Sequence, residues 1–198
     1  MKYFLDGGTH FGQGLRNIIR KEKIDHTWSI HSWEANPNTY KEYNGGSHWP
    51  HAKINFYNQA LSTQNGEIEL LVQSVKEKGR DFISATGQGS TTHPLGEFRE
   101  NVHQGKFTEK LKVPSIDFVQ WIEKNTTGKD YVIIKLDIEG NEYSILEKLV
   151  KSKCTKQISK MYIEWHGHFM ADPEKYKERR NQIEAVLTNK GIQLEDWR

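Results

Sequence analysis

A single cysteine, Cys154, is all that this 198-residue chain carries. No intrachain disulfide framework can hold it together, and that usage fits a reducing, cytoplasmic setting. No apolar run approaches the ~20 residues of a membrane-spanning helix. The opening Met-Lys-Tyr-Phe-Leu-Asp also lacks the apolar segment of a secretory signal. Neither sign of charge dominates: 28 Lys and Arg against 26 Asp and Glu leave a formal +2, which makes no case for nucleic acid or a membrane surface as partner. The hydrophobic share is low at 35%, and six Trp, eight Tyr and eight Phe make up part of the missing bulk. At this length one domain over 1–198, with a substantial core, is the default. There is no internal repeat, no P-loop Lys-Ser/Thr and no G-x-G-x-x-G fingerprint.

What the chain does have is a stretch around which the rest is organised. An apolar run at residues 3–5 ends in Asp6, and Gly7, Gly8, Gly12 and Gly14 follow before a helical pattern starts at Leu15. A buried strand that passes to a helix through a glycine-rich turn lets a ligand approach the backbone beside unpaired N–H groups. Asp6 at that turn disfavours a polyphosphate and favours a ligand carrying an amine or sulfonium. An ordinary strand–helix turn is the plainer explanation, so the rest of the chain has to decide.

The pattern alternates. Strands are predicted at 2–6, 27–33, 53–58, 110–113, 131–138, 158–165 and 192–197, and helices at 15–24, 38–43, 142–150 and 173–190. Asn65-Gly66 signals a hairpin with a return strand at 67–72. Pro114-Ser115 signals a helix start, with Ser115 as its N-cap. Such alternation predicts an α/β fold, a mostly parallel sheet with helices on both faces. The hairpin and the terminal strand would add antiparallel edges. Residues 79–112, rich in small polar side chains at 84–92, are expected to form a lid or binding loop, with plain flexibility as the alternative.

In an open α/β sheet, ligands bind beyond the carboxyl ends of the strands. Four predicted strand ends carry acids: Asp6, Glu34, Asp137 and Glu164. Glu34 follows Asp6 by 28 residues, where an acid can take both hydroxyls of a ribose. Lys135 and Glu139 share the side of Asp137 by the period of two. Lys135 reads equally well as a catalytic group or as a strand-edge lysine paired with an acid. His166 and His168 extend the strand that carries Glu164.

Four segments, in order, resemble the FkbM-type S-adenosylmethionine-dependent methyltransferases. They are Phe-Leu-Asp-Gly-Gly-Thr-His-Phe-Gly-Gln-Gly (4–14), Trp-Glu-Ala-Asn-Pro (33–37), Asn-Gln-Ala-Leu-Ser (58–62) and Ile-Lys-Leu-Asp-Ile-Glu-Gly-Asn-Glu-Tyr-Ser-Ile-Leu (134–146). The resemblance implies a Rossmann-like class I methyltransferase sheet with S-adenosyl-L-methionine across the tips of the first two strands. Asp6 and Gly8 would border its methionine part, with Thr9, His10 and Gly12 in the same turn. Glu34, with Ala35, would take the ribose, Ala60 and Leu61 the adenine, and Asp137 would lie near the reacting methyl. The implied acceptor is a hydroxyl of a small molecule or sugar. Asp137, Glu164 and His166 are the base candidates, and Lys135 joins them in the catalytic set. A divalent cation held by Asp137, Glu164 and His166 is the less favoured alternative. The chain is expected to depart from the family in opening on its first strand, with no preceding segment to cover the acceptor, and in a reduced C-terminal hairpin. The rival classes are a nucleotide-binding Rossmann-like enzyme and a non-catalytic binding module on the same fold. The acceptor and the oligomeric state stay open.

Overall fold

Two apolar runs form the centre of the sheet in the computed structural model, which describes residues 1–43, 54–73, 89–99 and 107–197. They are β1 (Lys2–Gly7) and β7 (Tyr131–Leu136), paired in parallel from Lys2↔Tyr131 to Gly7↔Leu136. Outward from β1 lie β2 (Trp28–Trp33) and β3 (Ile54–Tyr57); outward from β7 lie β8 (Lys160–Ile163) and β9 (Gln193–Asp196). The order is β3-β2-β1-β7-β8-β9, and every neighbouring pair is parallel. The expected antiparallel terminal edge is thus corrected, since β9 runs alongside β8 after a long helical return.

The two-residue period of the strands sorts the core. Phe4, Ile30, Ile133 and Tyr162 face one side, where α1 (Gln13–Lys21) packs Leu15, Ile18 and Ile19 against them. Leu5, Ile134, Met161 and Ile163 face the other, under α3 (Phe118–Asn125), α4 (Glu142–Lys151) and α5 (Pro173–Asn189). Each aliphatic side chain buried this way stabilises the fold by roughly 1.5–3 kcal/mol, so a strand apolar on both sides, such as β7, holds the middle. A short α2 (Pro37–Tyr43) follows β2. Helices therefore flank both faces, as expected from the alternation. Among the described residues no helix is long and apolar enough to cross a membrane.

A second, smaller sheet has the order β4-β6-β5, from β4 (Ala60–Ser62), β5 (Gly66–Gln73) and β6 (Phe107–Asp117). Asn65-Gly66 does turn the chain, but not into a hairpin: β6 inserts between β4 and β5, parallel to the first and antiparallel to the second. Asn65 closes the end of β6 by accepting the Asp117 N–H at 3.0 Å. Pro114 and Ser115 stay in the strand, and Asp117, not Ser115, caps α3, taking the Gln120 N–H at 3.1 Å. Of the expected loop at 79–112, residues 79–88 and 100–106 lie outside the described residues, and 107–112 belong to β6. Thr91 bridges to Leu71 and Phe98 to Met170.

Candidate active site

The turn after β1 is tight because two strand ends press on it. Gly8 has φ 75°, and a Cβ there would lie 1.7 Å from the Asp137 carbonyl oxygen. Only glycine allows the exit of β1 to sit on the exit of β7. The Gly8 and Thr9 N–H groups both donate to the Trp33 carbonyl at 3.1 Å, which ties the turn to the end of β2. Gly12, with φ 74°, opens α1, where a Cβ would meet the Tyr43 hydroxyl oxygen at 2.2 Å.

Beneath this turn lies a buried polar chain. Thr9 Oγ1 is 2.5 Å from Ser32 Oγ, which donates to Asp6 Oδ2 at 2.9 Å. Lys135 stands opposite Asp6 in register, its Nζ 3.4 Å from Asp6 Oδ1 and 3.3 Å from Asp137 Oδ2. The same ammonium donates to the Gly7 carbonyl at 3.2 Å and the Gly8 carbonyl at 2.9 Å. Burial disfavours its charge, but Asp137 and Asp6 outweigh that and raise its pKa. Lys135 thus ties the turn after β1 to the acids on either side of it.

At the tip of β2, Glu34 is only 8% exposed. Its Oε2 accepts the His10 N–H and its Oε1 the Asn36 N–H, both at 2.7 Å. Burial pushes its pKa up to about 7 despite these bonds. Each carboxylate oxygen retains a lone pair for a further donor. Asn58 Nδ2 holds the following main chain through the Glu34 carbonyl at 2.9 Å.

Across from Glu34, the ends of β7 and β8 bring five titratable groups together. The His166 imidazole, 2% exposed, begins a 3-10 turn at His166–Phe169. Its Nδ1 lies 2.9 Å from Oε1 of Glu142, which is wholly buried and also accepts the Ile138 N–H at 2.8 Å and the Gly140 N–H at 3.0 Å. A carboxylate only accepts, so Nδ1 carries the hydrogen. Nε2 is left 3.5 Å from Glu139 Oε2 and 3.8 Å from Glu164 Oε1. Burial opposes an imidazolium, but Glu142, Glu139 and Asp137 push its pKa up to about 10. Burial also raises the carboxyls of Glu139, to about 8, and of Glu164, which Asp137 raises further.

These two halves line one cavity of about 620 Å³. Gly8, Thr9, His10, Glu34, Ala35, Ala60, Leu61, Lys135, Asp137, Glu164 and His166 all contribute to its wall. Asp6 and Gly12 do not: Asp6 is sealed behind the turn it stabilises, and Gly12 turns toward Tyr43. The sequence reading set Glu139 beside Asp137 without giving it a role, and passed over Phe169 and Trp197, which also line the cavity, and Glu142, which holds His166 from behind. Glu142 offered a signal, as an acid at the start of a helix directly after a Gly-Asn turn, but nothing local revealed its burial. A second cavity of about 610 Å³ shares Glu164 and Trp197 with the first.

The site thus offers a buried carboxylate at one end, with free acceptor capacity, and a set of proton-exchanging acids at the other. No curated protein and no solved structure matches the chain. The methyltransferase FkbM domain, by contrast, matches residues 6–191, a span that includes every residue of the cavity wall except Trp197. The chain belongs to the FkbM methyltransferase family.

Proposed function

We propose that this methyltransferase uses S-adenosylmethionine and methylates a hydroxyl of a small molecule or sugar. The observation that carries this reading is the pairing, in one cavity, of the backbone-braced Glu34 with the Asp137–Glu164–His166 cluster. The wall suits the cofactor's donor set: a carboxylate for two ribose hydroxyls at Glu34, apolar contact at Ala60 and Leu61, and His10, whose buried Nε2 lacks a protein partner.

When bound, S-adenosylmethionine supplies a methyl group on a positively charged sulfur. Glu34 orients the ribose through its unused lone pairs. Lys135 keeps the Gly7–Gly8 turn closed and holds Asp137 in place. One of Asp137 and Glu164, which face each other in the cavity wall, receives the acceptor's proton as its oxygen becomes a nucleophile. Such general-base assistance is typically worth 10²–10⁴-fold. With no metal bound, His166, its pKa pushed up to about 10, carries a proton near neutral pH and stabilises the charge on these carboxylates; an ion at Nε2 would take the place of that proton.

Calorimetric titration with S-adenosylhomocysteine, NAD and ATP tests the assignment. Saturable binding of S-adenosylhomocysteine alone is expected. Binding of NAD or ATP in its place would make this a nucleotide enzyme. Cofactor binding with no methyl transfer across a panel of hydroxyl acceptors would favour a binding module.

A further inference from the structure

The acids at the ends of β7 and β8 converge on one ring nitrogen, His166 Nε2, with Glu139 Oε2 at 3.5 Å and Glu164 Oε1 at 3.8 Å. One ligand atom each from Asp137, Glu139 and His166 lies within 4.8 Å of the others. The His166 side chain is 97% buried, its Nδ1 is committed to Glu142, and its Nε2 points into the cluster with Glu139 Oε2 standing off at 3.5 Å. Histidine ligands of metals almost always donate their other ring nitrogen to a carboxylate or carbonyl, which fixes tautomer and orientation. Glu142 does this here, and two backbone N–H groups anchor it in turn.

We propose that Asp137, Glu139 and His166 form a binding site for a divalent cation of the Mn²⁺ or Mg²⁺ type, with Glu142 as the positioning residue for His166. Two carboxylate oxygens and one imidazole nitrogen suit such an ion better than a thiolate-seeking one. Neighbouring ligands on an octahedral ion at ~2.1 Å stand ~3 Å apart, so the three groups must close in by an ångström or more. The geometry permits it. His166 is fixed, whereas the Asp137 and Glu139 side chains are 26% and 23% exposed, and Asp137, paired with Lys135 through Oδ2, has a second oxygen to offer. The set differs from the one the sequence suggested: Glu139 takes the place of Glu164, because the turn at Ile138–Gly140 folds Glu139 back toward His166. The ion's task would be to bind the acceptor hydroxyl and lower its pKa. That task rests on the methyltransferase reading; the ion binding does not.

Mn²⁺ titrated into the metal-free protein, followed by calorimetry and by loss of the free-ion paramagnetic resonance signal, tests the site. One saturable Mn²⁺ per chain, displaced by Mg²⁺, is expected. Asp137→Asn and Glu139→Gln should each weaken it by about tenfold or more, while Glu174→Gln, on the exposed face of α5, should not. Glu139 lies in a turn, so Glu139→Gln decides the matter if Asp137→Asn fails to fold. Absence of saturable binding, or wild-type binding in the variants, overturns the proposal. A parallel S-adenosylhomocysteine titration separates the two failures: cofactor binding without metal binding sinks only this site, and the reverse sinks only the cofactor assignment.

Discussion

Asp6 and Lys135 lie opposite each other in adjacent parallel strands, both buried, with Nζ 3.4 Å from Oδ1. That oxygen has no hydrogen bond of its own, so the ammonium is what balances it. Removing one partner of such a pair strands a buried charge and typically costs 3–5 kcal/mol. Lys135→Met is expected to lower the unfolding free energy by about that amount in urea titrations. Adding Asp6→Asn to it should recover part of the loss, because the two effects are coupled. A Lys135→Met protein as stable as wild type would contradict the role given to this pair.

Glu34 is expected to carry cofactor affinity. Hydrogen bonds to a charged group contribute roughly 1.5–3 kcal/mol each, so losing two at once should raise the dissociation constant for S-adenosylhomocysteine more than tenfold. Calorimetry on Glu34→Ala and on the near-isosteric Glu34→Gln checks this. Unchanged affinity in both would remove Glu34 from the site.

The same residue sets a pH dependence. Burial lifts its pKa from 4.5 to about 7 in the folded chain, so between those values the folded state keeps a proton that the unfolded state has released. The group's stabilising contribution is therefore full below pH 4.5 and fades as pH rises through about 7. Cofactor binding runs the other way, because only the ionised carboxylate accepts from both hydroxyls. Affinity should rise between about pH 6 and 8, by at most tenfold per unit, and then level off. In Glu34→Gln the profile should be flat; a wild-type slope in that variant would assign the titration to another group.

At the reacting end, Asp137→Asn and Glu164→Gln are each expected to reduce turnover by about 10²–10⁴-fold while changing S-adenosylhomocysteine affinity little. His166→Ala should also slow the reaction. Single-turnover assays with an accepted hydroxyl compound measure all three. Full activity in both acid variants would place the chemistry elsewhere in the cavity.

Much of this was legible in the chain itself, where local and tertiary preferences agree. The run Tyr131–Leu136 is apolar on both sides and became an inner strand. Leu15, Ile18 and Ile19 repeat at helical spacing and became the buried stripe of α1. Three of the four strand-end acids meet in the cavity for the topological reason anticipated. Asp6 failed that expectation because Ser32 and Lys135, both distant in sequence, draw its carboxylate inward. The small sheet was misread for a similar reason. Asn65-Gly66 has hairpin chemistry, yet β5 pairs with a strand the turn cannot foresee. Pro114 looked like a helix start because a proline lacks a donor. In β6 that lack is tolerated, since β4 covers that side of the strand only from Ser115 onward. Glu139 was placed by the two-residue alternation, but its positive φ of 54° breaks that alternation and turns it toward His166, a contact the sequence does not foretell.

The insertion of β6 between β4 and β5 also bears on how the molecule comes into being. β4 carries Ala60 and Leu61 to the cavity wall, yet its sheet partner is the end of β6, from Ser115 to Asp117. During synthesis, at about 5–20 residues per second, the first of these strands waits roughly 3–10 s for the second. Until then the Ala60–Leu61 side of the cavity lacks its sheet partner, and Asp137, Glu164 and His166 have yet to be made. A ligand stabilises only the states that can bind it. A ligand of this cavity therefore cannot help the N-terminal half to fold, and any rescue of a destabilised variant by such a ligand should appear only after the C-terminal half has been made.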